Sequence, residues 1–186
     1  MEAAEDRMTA DEYHYISVEG DRKQLVDGTI IVNEPKPIHA RLQLRLVMAL
    51  QRWIDAGDRR GFVSLPTDVQ LDDFNVYGPD LIWFREEHKP IDLNEYPEHL
   101  PDICVEIRSP HNWRFDVGPK RRAYEANGLP ELWLVHDAHE TVQIHRRMEP
   151  DSPTFDVAPE LAKGDVLTSP QLPGFALELD ELFAGA

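Results

Sequence analysis

The chain has 186 residues, 41% of them apolar and 29% charged, with a formal net charge of −16 and a single cysteine. That length suits one well-buried domain. The charge excludes nucleic-acid binding by bulk attraction, because phosphate contacts demand cations, and one cysteine excludes an internal disulfide, which fits a reducing cytoplasm.

Residues 1–8 read as a flexible tail that is acidic and lacks the apolar core of a secretory signal. Thr9 and Glu12 have capping-box spacing, so a short helix is expected in "TADEYHYISVE". In "KQLVDGTIIVN" two apolar runs flank Asp27-Gly28, a pair that accepts the positive φ angles of a tight hairpin turn. Ile38, Leu42, Leu46, Leu50, Trp53 and Ile54 then recur at helical spacing. "GFVSLPTDVQL", "GPDLIWF" and "DICVEIRS" read as strands, the last two apolar enough to be covered on both faces. The polar segment between them, residues 85–101, is a long loop of the functional or mobile kind.

After the Ser109-Pro110 break a helix is expected over residues 117–127, with Pro119 in its first turn and Gly128 ending it. "PELWLVH" and "TVQIHRR" are strands joined by a turn. Short strands near Phe155, Val166 and Phe175 and a closing helical turn at "LDELF" follow. No repeat, boundary or bilayer-length apolar run appears. The expectation is a single α/β domain over residues 9–186, a mixed β-sheet flanked by helices with an N-terminal hairpin.

Phosphate loops, dinucleotide fingerprints, zinc-protease helices and nucleophile elbows are all absent. Cys104 lies in an apolar strand and reads as a packing residue. What remains is a charged constellation. Asp80 opens one strand, Glu106 sits in the next, Arg108 lies two residues on and Lys120 starts a helix. Carboxylates at the ends of adjacent strands can share a hard cation such as Mg²⁺ or Mn²⁺, and the Ile107 carbonyl would be a third ligand. A buried glutamate needs a counter-charge. Arg108 is one candidate, which would make the pair purely structural. The metal reading expects the Asp80 and Glu106 carboxylates within about 5 Å of each other, close enough to share a hard ion, and the enzyme reading fails if they point to opposite faces of the sheet.

"MTADEY", "LVDG", His39 at a helix start, "PDLIWF", "DICVEIRSP", Asp116 with Lys120, Tyr124, "GLPELWLV" and "LPGFALELDELF" together resemble a bacterial family labelled putative restriction endonuclease, within the PD-(D/E)XK nuclease superfamily. The resemblance covers nearly the whole chain and implies a restriction-endonuclease-like core and Mg²⁺-dependent DNA hydrolysis. It implies Asp80 and Glu106 as metal ligands and Lys120 as the active-site lysine, with Arg108 at the lysine place of a literal E-x-K reading. Family members carry glutamates in the first hairpin; here the string is "QLVDGT", with Gln24 a neutral ligand or hydrogen-bond partner and Asp27 a compensating acid or a turn residue.

Each has a plainer reading: Asp116 as a helix cap, His39 as capping or packing, Tyr124 as packing, and His111, His136 and His145 as surface residues. Arg114, Lys120, Arg121 and Arg122 form the one local cationic run, facing phosphate or bridging to nearby carboxylates. Two functions stay open: a DNA endonuclease, acting as a homodimer so that two sites cut two strands, or a nuclease-fold binding or oligomerising protein that does not cut.

Overall fold

The computed structural model describes residues 7–18, 21–95, 97 and 99–185. Residues 1–6 of the expected tail lie outside the described residues. Arg7 and Met8 do not trail away: Met8 N–H donates to Gly28 O at 3.0 Å and Arg7 Nε to Asp27 O at 3.0 Å.

Helix α1 (Ala10–Ile16) carries the expected capping box, with Thr9 and Glu12 exchanging hydrogen bonds. Strands β1 (Lys23–Val26) and β2 (Thr29–Val32) pair through Asp27 and Gly28, at φ 49° and 75°. Helix α2 (Pro37–Asp55) buries His39, Leu42, Leu46, Leu50 and Trp53 along one stripe.

The segment "GFVSLPTDVQL" is two strands, not one. Pro66 separates β3 (Phe62–Ser64) from β4 (Val69–Asp72), since proline cannot donate to a ladder. An additional strand, β5 (Asn75–Tyr77), pairs with both β4 and β1. These strands form an antiparallel sheet in the order β2-β1-β5-β4.

The main sheet is built from β6 (Leu81–Phe84), β7 (Ile103–Ile107), β8 (Glu131–His136), β9 (Thr141–Arg146) and β10 (Glu160–Ala162), with β3 at one edge. Its order is β10-β9-β8-β7-β6-β3; β7 and β8 are parallel and the other neighbours antiparallel. The tail adds β11 (Val166–Leu167), β12 (Leu177–Glu178) and a terminal helix (Leu179–Leu182). Phe155 and Phe175 lie outside strands; each packs against a core instead.

The crossover from β7 to β8 departs from the expected helix. It begins earlier, with a short α-helical piece at Trp113–Phe115, passes through a π-helical turn at Asp116–Lys120, and continues as α-helix over Arg121–Ala126. Pro119 has no N–H to give and would clash with the carbonyl one turn back. The wider turn accommodates it, and Arg121 N–H reaches the Asp116 carbonyl.

The alternation of β6, β7 and β8 divides the core. Leu81, Trp83, Ile103, Val105, Ile107, Trp133 and Val135 face α2 and the C-terminal segment. Ile82, Phe84, Cys104, Leu132 and Leu134 face Tyr124, the hairpin residues Val26 and Ile31, and Tyr77 of β5. Among the described residues no helix is long and apolar enough to cross a membrane.

Candidate active site

Asp80 precedes β6. The β6–β7 register pairs Leu81 with Val105 and Ile82 with Cys104, so one step back sets Asp80 opposite Glu106. Opposite residues project to the same face. Both side chains therefore lie on the Tyr124 side of the sheet, at the end where β7 finishes and α2 begins.

Each carboxylate is gripped on one oxygen. Asp80 Oδ2 accepts from Ile107 N–H at 2.7 Å and meets His39 Nε2 at 3.0 Å. Glu106 Oε1 meets Lys120 Nζ at 2.6 Å and accepts from Tyr124 OH at 2.7 Å. Among the described residues, that leaves Asp80 Oδ1 and Glu106 Oε2 without a protein donor. Lys120 Nζ also meets Asp116 Oδ1 at 3.0 Å and lies 5.3 Å from the centre of the Tyr77 ring.

Three acids therefore surround one ammonium and one imidazole, all buried. Burial pushes the Glu106 pKa up to about 8, with Asp116 and Asp80 adding to the rise and Lys120 opposing it. Burial likewise raises Asp116 against the pull of Lys120. Burial pulls the Lys120 amine down, but Glu106 and Asp116 outweigh it and hold the ammonium charged. The cluster carries more negative charge than its cations cancel, so it favours either a proton or an added cation.

The structure brings Asp80, Glu106, Lys120, His39, Asp116 and Tyr124 together. The Asp116 carboxylate does not cap a helix N-terminus; it is spent on Lys120. His39 sits in the first turn of α2 with its ring on Asp80, and Tyr124 adds a hydroxyl contact to its packing. Ile107 contributes its N–H to Asp80. Arg108 does not pair with Glu106; its guanidinium reaches Asp137 at 3.0 Å. Asp27 stays in the hairpin turn, with its N–H on Asn75 and its carboxylate 4.0 Å from Arg7.

Gln24 is buried on β1. The pairing of Leu25 with Val76 sets it opposite Tyr77, on the face that the core shares with Tyr124. Its Nε2 donates to Gly78 O at 3.4 Å, two residues before Asp80. Its Oε1 is buried with no hydrogen-bond partner. A buried carbonyl oxygen without a donor is costly, and a cation or a ligand donor would satisfy it.

The cationic run divides. Lys120 is buried, Arg121 bridges to Glu125 at 3.5 Å, Arg114 lies over the Phe115 ring and Arg122 is exposed. His145 is 8% exposed and His136 half-buried, so neither is the surface residue that sequence suggested. Sequence gave no pointer to the hydroxyl of Tyr124 as a carboxylate donor, because packing and hydrogen bonding by tyrosine look alike in a string.

Mg²⁺ is bound through one or two carboxylates and keeps much of its own water. Asp80, Glu106 and the Gln24 carboxamide supply hard oxygen of that kind, and the excess negative charge fits a divalent ion. Among the described residues, no group of three or more His, Cys, Asp or Glu side chains has the spacing of a metal centre. Two acids and a neutral oxygen are what this chain provides.

A crystal structure of a putative nuclease belonging to DUF820 from Anabaena variabilis ATCC 29413 superposes with a TM-score of 0.79 at 19% identity, over 95% of this chain and 98% of that one. That likeness establishes the fold. No curated protein matches the chain. The family described as "Uma2: Putative restriction endonuclease" matches residues 10–180, nearly the whole length, and the chain belongs to it.

Proposed function

We propose that residues 9–186 act as one domain that hydrolyses DNA phosphodiester bonds with Mg²⁺ or Mn²⁺. The carrying observation is the cross-strand pair Asp80 and Glu106, each with one oxygen free, Asp80 held by His39 and Glu106 by Lys120. The free carboxylate oxygens would hold the cation, with the Ile107 carbonyl and Gln24 Oε1 as neutral donors. When bound, such a cation lowers the pKa of a coordinated water and offsets charge on the phosphate.

The protein's own groups do the rest. His39 and the Ile107 N–H fix the Asp80 carboxylate, and Tyr124 fixes Glu106. Lys120, drawn off Glu106 by an arriving phosphate, turns its ammonium to the non-bridging oxygens, where developing charge is worth most. Arg108 can grip phosphate only by leaving Asp137, and as an arginine it clamps rather than trades protons. A cytoplasmic homodimer would cut both strands.

The test is cleavage of plasmid and oligonucleotide DNA with Mg²⁺, Mn²⁺ or EDTA. Cleavage should need the cation and fall by at least about 100-fold in Asp80→Ala and Glu106→Gln. Cation-dependent cleavage that persists in both variants sinks the assignment. A second reading, a nuclease fold that binds without cutting, is favoured by the closed Lys120–Glu106 pair and by Gln24 in place of an acid. It predicts no stoichiometric Mn²⁺ site; a site lost in Asp80→Ala would eliminate it.

A further inference from the structure

Trp113, His136 and His139 form a run of rings that the cluster above does not use. His136 and His139 stack face to face, with centroids 3.9 Å apart and planes 10° from parallel. Trp113 meets His136 edge-on at 5.4 Å. His139 N–H donates to His136 Nδ1 at 3.1 Å, which fixes the turn that carries both rings. His139 is exposed, while His136 and Trp113 are half-buried.

The register ties these rings to the carboxylates. Glu106 lies opposite Leu134 and Ile107 opposite Val135 in the parallel pair β7–β8, so Arg108 falls opposite His136. Leu132 and Leu134 share the Cys104 face of the sheet. By alternation His136 projects to the same face as Glu106, about 7 Å further along the strands. Arg108, held on Asp137 in the same turn, stands beside the rings. Burial, together with His139 and Arg108, keeps the His136 pKa below the ordinary imidazole value, so at neutral pH the exposed His139 ring stacks on an uncharged partner.

Charge then selects the substrate. A duplex hides its base faces and is held chiefly by cations on phosphate, which this chain, at −16, is poorly supplied to give. An unpaired strand exposes base faces that stack on rings whatever the sequence, so part of its affinity comes without cations. We propose that Trp113, His136 and His139 form a stacking platform for an unpaired nucleobase, so that the DNA substrate presents a single-stranded segment at the Glu106 end of the sheet. This rests on the DNA-hydrolase reading above.

The test is fluorescence anisotropy with a labelled single strand of about 12 nucleotides and with the same sequence as a duplex, in EDTA. It uses the full chain, His139→Ala and His139→Phe, with melting temperatures to verify folding. The single strand should bind at least about tenfold more tightly than the duplex. His139→Ala should lose roughly 5- to 150-fold in affinity, the range of one stacked base, and His139→Phe should retain it. Equal affinity for both forms, no binding of either, or wild-type affinity in His139→Ala overturns the platform. Cation-dependent cleavage lost in Glu106→Gln alongside His139-independent binding would remove the platform alone. His139-dependent binding without any cleavage would remove the hydrolase reading and leave the platform.

Discussion

Lys120 holds two acids that burial would otherwise expel. Replacing it with methionine leaves Glu106 and Asp116 buried without a cation. Breaking a buried pair from one side costs about 3–5 kcal/mol, and Lys120→Met should lose that much in urea unfolding near pH 8. The loss should shrink toward pH 5, where both acids can take up protons. The same cluster gives the wild type an unusual pH dependence. Glu106 has a folded pKa of about 8, raised above the ordinary 4.5 chiefly by burial. Between those values the folded chain holds more protons than the unfolded one, so stability falls as pH rises. The metal-free melting temperature should therefore drop from pH 5 to pH 8, and Glu106→Gln should flatten that slope; an unchanged slope would place the proton elsewhere. On the proposed metal reading, cation and proton compete for one carboxylate, so Mn²⁺ should raise the melting temperature more at pH 8 than at pH 6. Which residues cluster was readable from the order Asp80, Glu106, Lys120. Which cation Glu106 takes was not. Arg108 is nearer in the chain, but it lies just past the strand, beside the β8–β9 turn where Asp137 captures it, while the crossover returns Lys120 over the carboxylates.

At the scale of elements, the long helix α2 and the Asp-Gly hairpin were legible because each rests on local chemistry, an apolar stripe and a pair of positive φ angles. The division of strands between two sheets was not legible. Nothing in "DVQL" says that it pairs with β5 rather than continuing β3, since partner choice is settled by packing far along the chain. The crossover start was missed because Pro119 suits a first helical turn, whereas here a π-helical turn lets the helix run through it. An element-scale prediction concerns the entry to β3. Gly61 has φ +79°, and a Cβ there would overlap the Phe84 carbonyl oxygen. Gly61→Ala should therefore cost more than about 1 kcal/mol. The loss belongs to β3 and its pairing with β6, whose Phe84 end is remote from Asp80. Mn²⁺ affinity, measured by titration on the folded variant, should stay within about twofold of wild type; a larger drop would mean that β3 supports the site directly.

For the whole molecule, 35 acids against 19 lysines and arginines leave few cations for a phosphate backbone. Of the local run after β7, Lys120 is buried and Arg121 is bridged to Glu125, which leaves Arg114 and Arg122 exposed. Arg108 could join them by releasing Asp137. Two or three phosphate contacts on a single strand, each contributing about −0.7 to the slope of log K against log salt, give a total of about −1.4 to −2.1. Affinity should then fall only about 7- to 18-fold between 50 and 200 mM salt, measured by anisotropy without divalent cation. Arg122→Ala should make that slope shallower by about 0.7, whereas His139→Ala should lower affinity at every salt concentration and leave the slope unchanged. A wild-type slope steeper than about −4 would require more cations than this face of one chain exposes. The DNA would then have to run over a different surface, or over one completed by a second copy.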